Sequence, residues 1–273
     1  MKRLLTLAAL LSLTPAGRAA DPVLKDVLDF TARPRLLDTH FARFGPTPNR
    51  TVSKEPGGVR VRLPAASKGA SQSGVYSYFA LAGDLEVTGT FVSVSVPTPS
   101  GGHGASASVT LDAEGTVGSV ALNRGLHPAE GSAFWVTRTT PDGEAKKYDT
   151  WFFPAAGRRG RFAIRRQKDA VTFLAADAPG DPLRELKTVP FTAGTVRSLR
   201  LAGDAGNSPT TLDVRVTELV VRAEELTGGI PEMETRAGWG RTVAGVVAAA
   251  LVLVGVALAW RRRRKRRLGE PEA

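Results

Sequence analysis

The chain has 273 residues, 37 Lys and Arg against 26 Asp and Glu, and no cysteine. Without cysteine there is no disulfide framework, no Cys-ligated zinc site and no thiol nucleophile. The formal charge of +11 does not mark a nucleic-acid binder: ten basic groups sit in residues 1–20 and 261–267, and residues 21–260 hold 27 basic against 24 acidic groups.

Lys2 and Arg3 precede an apolar run over residues 4–13, and residues 14–20 are small and broken by Pro15. That is the pattern of a secretory signal peptide, and ten apolar residues are too few to span a bilayer. Cleavage after Ala19 or Ala16 satisfies the small-residue requirement, so residues 1–19 are assigned as the signal; the alternative is a retained N-terminal anchor.

Residues 20–226 read as one all-β domain of short alternating runs separated by Gly, Pro, Asp and Ser. Phe30, Leu36, Leu37, Phe41 and Phe44 form an irregular apolar entry. Residues 58–64 then alternate, with Val59, Val61 and Leu63 facing one way and Arg60 and Arg62 the other. Strands are expected over 75–81 and 84–91 with Gly83-Asp84 as the turn between them. The apolar parity changes over 92–96, which predicts either a bulge or bend near Gly89 or a strand covered on both faces. Residues 97–105 form a breaker-rich loop.

Further strands are expected over 106–111, 117–122, 133–139, 148–153, 161–165, 170–175, 186–190, 196–201 and 211–223. Pro141-Asp142-Gly143 and Lys168-Asp169 are the clearest turns. In the last strand the inward set Leu212, Val214, Val216 gives way to Leu219, Val221, Ala223, so a break is placed at Thr217-Glu218. No stretch carries a 3.6-residue period.

Residues 227–238 read as a polar juxtamembrane linker, residues 239–260 as a transmembrane helix and residues 261–273 as a basic cytoplasmic tail. Residues 243–260 carry no charge and extend about 27 Å as a helix, the thickness of a bilayer core. Trp239 and Trp260 flank the run that begins at Val243, and Arg261, Arg262, Arg263 and Arg264 open a seven-residue basic block that belongs on the cytoplasmic side. The domain before it then lies outside the cytoplasm. Gly245/Ala249 and Gly255/Ala259 present small residues at the four-residue spacing of close helix pairing. A second reading takes the tail as a processed C-terminal sorting signal, for which Ile230-Pro231-Glu232 is an imperfect match.

The strand patterns carry a family resemblance. Gly160-Arg-Phe-Ala-Ile-Arg-Arg, Ala170-Val-Thr-Phe-Leu-Ala-Ala and Leu212-Asp-Val-Arg-Val-Thr-Glu-Leu-Val-Val resemble closing strands of concanavalin-A-like (laminin-G/glucanase type) jelly-roll sandwiches. Gly58-Val-Arg-Val-Arg-Leu-Pro and Phe79-Ala-Leu-Ala-Gly-Asp resemble an uncharacterised branch of that superfamily, a domain of unknown function in exported bacterial proteins. The resemblance implies two packed antiparallel sheets and no particular activity.

The Glu-x-Asp-x-x-Glu strand of glycan-cleaving jelly rolls is absent, as are a Gly-x-Ser-x-Gly elbow and a phosphate-binding loop. His40, His103 and His127 lack ligand spacing. No cofactor is indicated. Calcium, frequent in the superfamily, has no motif here, and Asp142, Asp149, Asp204 and Asp213 are candidates by residue type alone. Trp135, Tyr148 and Trp151 lie on neighbouring strands and suit stacking on sugar rings, with burial in the core as the competing reading. Arg161 and Arg165, within a basic cluster from Arg158 to Lys168, suit an anionic polymer or a solvated outer face.

These features describe a single-pass membrane protein whose extracytoplasmic sandwich is a non-catalytic binding or envelope-interaction module, with glycan as the leading ligand class. The partners are the membrane and a polysaccharide or envelope component, not nucleic acid. A glycan-active hydrolase or lyase and a purely structural surface domain are the alternatives.

Overall fold

The computed structural model describes residues 24–65, 72–114, 118–178, 180–208 and 210–228. The signal segment, most of the linker, the transmembrane segment with Trp239, Val243 and Trp260, and the basic tail lie outside the described residues. Among the described residues no helix is long and apolar enough to cross a membrane.

Fifteen strands form in chain order: β1 (Asp26–Asp29), β2 (Phe41–Phe44), β3 (Val52–Glu55), β4 (Gly58–Leu63), β5 (Gln72–Ser77), β6 (Phe79–Ser95), β7 (Ala105–Ala113), β8 (Ser119–His127), β9 (Gly131–Asp142), β10 (Ala145–Pro154), β11 (Arg159–Gln167), β12 (Ala170–Ala176), β13 (Arg184–Pro190), β14 (Val196–Asp204) and β15 (Leu212–Gly228). Two short helices, α1 (Leu36–His40) and α2 (Pro48–Thr51), occupy the irregular entry. At one turn each they are too short to leave a helical period in the sequence.

All pairings among the described residues are antiparallel and sort into two layers. The first runs β2-β5-β14-β7-β8-β9-β10. The second runs β3-β4-β15-β6-β11-β12-β13, with β1 beside the C-terminal half of β15. Val196 of β14 pairs with Leu81 of β6 and joins the layers at one corner. Alternating residues fill the space between: Val109, Leu111, Leu122, Phe134, Val136, Leu199 and Leu201 from the first layer meet Val61, Val87, Phe91, Phe162, Ile164 and Val214 from the second. Phe91 stacks on Phe162 with centroids 4.6 Å apart and reaches Phe134 of the facing layer at 6.5 Å. Each ring of that stack sits across the ladder from a glycine, Phe162 opposite Gly89 and Phe91 opposite Gly160. A Cβ at Gly89 would lie 2.7 Å from the Phe162 ring.

The expected break at Thr217-Glu218 is present: Glu218 adopts φ 55 and the β6–β15 register shifts between Thr217 and Val220, beside Gly89. The Lys168-Asp169 turn closes β11 onto β12, and Gly143-Glu144 closes β9 onto β10. The turn at Gly83-Asp84 is corrected. β6 runs through it as one 17-residue strand, with Gly83 at φ 68 forming a bulge opposite a register shift in β15. The real break falls at Tyr78, so the single strand over 75–81 is two, β5 and the start of β6.

Two ends follow from this connectivity. Loops 96–104, 128–130, 155–158 and the described parts of the β14–β15 connection, 205–208 and 210–211, gather at one end, the far end. Loops 143–144, 168–169 and 191–195 gather at the other, the exit end, with Gly228, the last described residue.

Asp213 anchors β15 to β4. Arg60 donates to it twice, Nε at 2.7 Å and Nη2 at 2.5 Å, and Arg62 lies 3.4 Å away. The hydrogen bonds from Arg60 hold the Asp213 carboxyl below its usual value of 3.8, against a smaller opposing effect of burial. A carboxyl depressed by folding stabilises above its unfolded value and loses that contribution as pH falls through the folded one. Asp213→Asn is therefore expected to lower the melting temperature at pH 7 and to have a shrinking effect below about pH 4, checked by thermal unfolding across pH. An effect unchanged between pH 7 and pH 2.5 would contradict the assignment.

Candidate functional site

The outer face of the first layer carries an ordered set of polar and aromatic side chains. Residues alternating with the core positions align in register across the strands. One row runs Phe44, Gly74, Ala202, Ser108, Asn123, Trp135, Phe152. The next runs Ala42, Tyr76, Arg200, Thr110, Ala121, Thr137, Thr150. A third adds Ser198, Asp112, Ser119, Thr139 and Tyr148. The middle strands contribute small or hydroxyl-bearing residues because β7 reads Ser106-x-Ser108-x-Thr110-x-Asp112, with the apolar members turned to the core. Ser106, Ser108 and Thr110 are buried and Asp112 is half-buried, whereas Tyr76 (39% exposed) and Tyr148 (62%) stand at either side. The face is a shallow trough with a polar floor and aromatic rims.

Fixed polar contacts organise the floor. Arg200 pairs with Asp112, Nε to Oδ2 at 2.7 Å and Nη2 to Oδ1 at 2.9 Å, and the Ser198 hydroxyl donates to the same carboxylate at 3.1 Å. Asn123 donates to the Trp135 carbonyl at 3.2 Å, which locks its amide. The Ser108 hydroxyl is buried without a hydrogen-bond partner. Toward the exit end, a depression of about 350 Å³ is lined by Asp112, Ser119, Thr139, Lys146, Arg197 and Arg200.

The sequence-derived candidates divide between faces. Trp135 and Tyr148 belong to the trough, but Trp135 is only 5% exposed, packed 5.9 Å from Phe152 and 6.4 Å from His127. Phe152 and Tyr148 therefore present the accessible rings on this side. Trp151 points the opposite way, half-buried against the core, with Lys187 Nζ 5.1 Å from its ring centre. Arg161 and Arg165 lie on the outer face of the second layer, where Arg165 pairs with Glu86 at 2.7 Å and Arg222 joins at 3.2 Å. The basic cluster is thus dispersed. Tyr76, Thr110, Asn123, Asp112 and Arg200 enter the trough without having been singled out in the sequence, although the polar alternation in β7 was readable there.

Arg166, from the same cluster, is 1% exposed. Its Nε and Nη2 donate to the Gly83 carbonyl in the β6 bulge and its Nη1 to the Gly194 carbonyl at 2.6 Å. Arg124 is its counterpart at the far end, 2% exposed beneath the 155–158 loop. Arg124 Nη1 donates to the carbonyls of Gly125 (3.1 Å) and Ala133 (3.4 Å), and Nη2 to those of Ala156 (3.2 Å) and Gly157 (2.7 Å). Its guanidinium also lies 5.2 Å from the Phe134 ring centre. Burial pulls both guanidinium groups below their ordinary range, partly offset by Asp177 for Arg124 and by Asp84 and Glu224 for Arg166. Both stay charged, because an arginine begins so far above neutral.

Among the described residues no three His, Asp or Glu side chains converge as a metal site would require. Asp149 is paired with Arg138 at 2.7 Å, Asp213 with Arg60, and Asp204 accepts from the Gly206 N–H at 2.7 Å. Three of the four aspartates considered for calcium thus sit in separate local contacts, and the fourth, Asp142, is exposed at the end of β9.

A family model described as "Protein of unknown function (DUF1583) C domain" matches residues 19–237. No curated protein gives a significant match. Among solved structures the chain is similar to a functionally unknown protein from Saccharomyces cerevisiae, at 11% identity and TM-score 0.48, covering 69% of this chain and 96% of that one. It is also similar to the exoplasmic/lumenal domain of VIP36 in its Ca2+/Man3GlcNAc-bound form, at 11% identity and TM-score 0.45, covering 69% and 85%. A legume lectin-like domain from Entamoeba histolytica is similar at 10% identity and TM-score 0.46, covering 71% and 92%.

Proposed function

The chain belongs to the DUF1583 C-domain family, and from that premise we propose that it is a membrane-anchored, extracytoplasmic module that binds glycan, without catalysis, in the trough on the first layer. The observation that carries this reading is the in-register floor of Ser108, Asn123, Thr110 and Thr137 between the rings of Tyr76 on one side and Phe152 and Tyr148 on the other. A sugar ring has apolar faces that stack on aromatic rings and an equator of hydroxyls that needs donors and acceptors; the trough offers both. The carboxylate in the trough, Asp112, is engaged by Arg200 and Ser198 and so suits orientation of a ligand better than proton transfer.

The anchoring part of the proposal rests on the apolar run 243–260 and the basic block after it. Because the described chain ends at Gly228 on the exit end, an anchor there turns the far end away from the bilayer.

A panel of polysaccharides tested for binding and for product release decides the reading. Tyr148→Ala and Tyr76→Ala are each expected to weaken binding by roughly tenfold, the loss of about 1.4 kcal/mol of ring stacking and its buried area. Unchanged affinity in both folded variants contradicts the trough, and released products replace binding with hydrolysis or elimination.

A further inference from the structure

At the far end, between the layers, a cavity of about 390 Å³ opens among Ser93 and Ser95 at the end of β6, Arg124 and Leu126 of β8, Ser132 of β9 and Arg158 of the 155–158 loop. We infer that this cavity binds the anionic substituent, carboxylate or sulfate, of an acidic saccharide. The inference rests on the glycan reading above and extends it by naming the ligand's charge.

The charge balance of the cavity carries the argument. Arg124 is buried, its Nη donors are occupied by four carbonyls, and no carboxylate among the described residues lies within ion-pair distance. Carbonyl dipoles satisfy its Nη donors while the buried Nε finds no partner, and its unit charge stays in place; in a poorly solvated site that charge raises the potential of the adjoining space. Asp177 is the carboxylate that acts on Arg124, and its Oδ1 accepts the Ala156 N–H at 3.1 Å. Arg158 adds a second guanidinium at the mouth, on an exposed loop residue whose carbonyl accepts the Ser93 N–H at 2.7 Å. Arg138, Arg165 and Arg200 each have a carboxylate at 2.7 Å, whereas Arg158 has none within reach among the described residues. Three serines supply hydroxyl donors in the same cavity, and Val96, Pro97 and Leu126 supply apolar walls. Two cations, hydroxyl donors and an apolar wall in a cavity of small-ligand size match an anionic group carried on a sugar ring.

Arg124 acts here as a positioning residue that holds the loop and the field; Arg158 is the residue expected to touch the ligand. The test is titration calorimetry of the full-length chain in detergent with glucuronate, glucose 6-sulfate and methyl glucoside. At least one of the two anions is expected to bind about tenfold more tightly than methyl glucoside, to lose about tenfold in the Arg158→Gln variant, and to weaken as salt rises from low to moderate concentration. The tighter of the two identifies the preferred anion. Equal affinity for charged and neutral sugars, or an anion affinity insensitive to both Arg158→Gln and salt, overturns the inference. Neutral polysaccharide binding lost in Tyr148→Ala but not in Arg158→Gln, with no anion bound, overturns it while leaving the trough intact. Anion binding without any polysaccharide binding upholds this cavity and removes the trough.

Discussion

Arg124→Met is expected to destabilise the protein by about 2–4 kcal/mol, seen as a fall of roughly 5–15 °C in the melting temperature of the full-length chain in detergent. Two effects oppose each other. Removing a buried cation recovers its desolvation cost, and hydrophobic replacement of a buried ion pair is often neutral for that reason. Here the partners are backbone carbonyls that stay where the ladder puts them. Those of Gly125 and Ala133 lose a charged donor, while those of Ala156 and Gly157, on the exposed loop, regain water. The unsatisfied acceptors therefore outweigh the recovered desolvation. Arg124→Lys is expected to fall between parent and Met, because an ammonium keeps the charge but lacks the planar fork that reaches four acceptors. A Met variant as stable as the parent would show that desolvation dominates.

Phe91→Ala is expected to cost more, about 3–5 kcal/mol. Phe91 is fully buried, stacks on Phe162 at 4.6 Å and touches Phe134 across the layers at 6.5 Å, so its loss opens a void at the joint between the sheets. Gly89 and Gly160 already lack side chains there, and nothing beside them can move in to refill the space. Against a typical domain stability of about 5–15 kcal/mol, the variant should be largely unfolded under mild denaturant. A denaturant midpoint close to the parent's would mean that the layers pack independently of this stack.

Much of this architecture can be read from period-two alternation. The change of parity in residues 211–223 is the bulge at Thr217-Glu218 opposite Gly89, whereas β6 itself keeps one register with β11 through Gly89 and its own parity change over 92–96 goes with a separate register shift between Asp213 and Val214. The errors have a common cause in long-range contacts. Gly83-Asp84 has the composition of a turn, but the carbonyl of Gly83 is taken by Arg166 from the neighbouring strand, and the chain continues as a bulge. Tyr78, where β5 really ends, carries no glycine or proline to signal it.

The site was less legible for the same reason. Alternation assigns Trp135 and Trp151 to opposite sides of their strands only once the register of β9 on β10 is known, and it cannot say which side meets the other layer. Arg161 and Arg165 looked contiguous with the aromatics in sequence but belong to the second layer. Arg124 and Arg166 had every compositional mark of surface residues; their burial depends on carbonyls supplied by loops far along the chain.

The most direct test is hydroxyl-radical footprinting of the full-length chain with and without a polysaccharide that it binds. The trough predicts protection of Tyr76 and Tyr148, with no change at Val27, which is 47% exposed on the outer face of the second layer. Protection at Val27 with Tyr76 and Tyr148 unaffected would place the glycan on the opposite face and contradict the account.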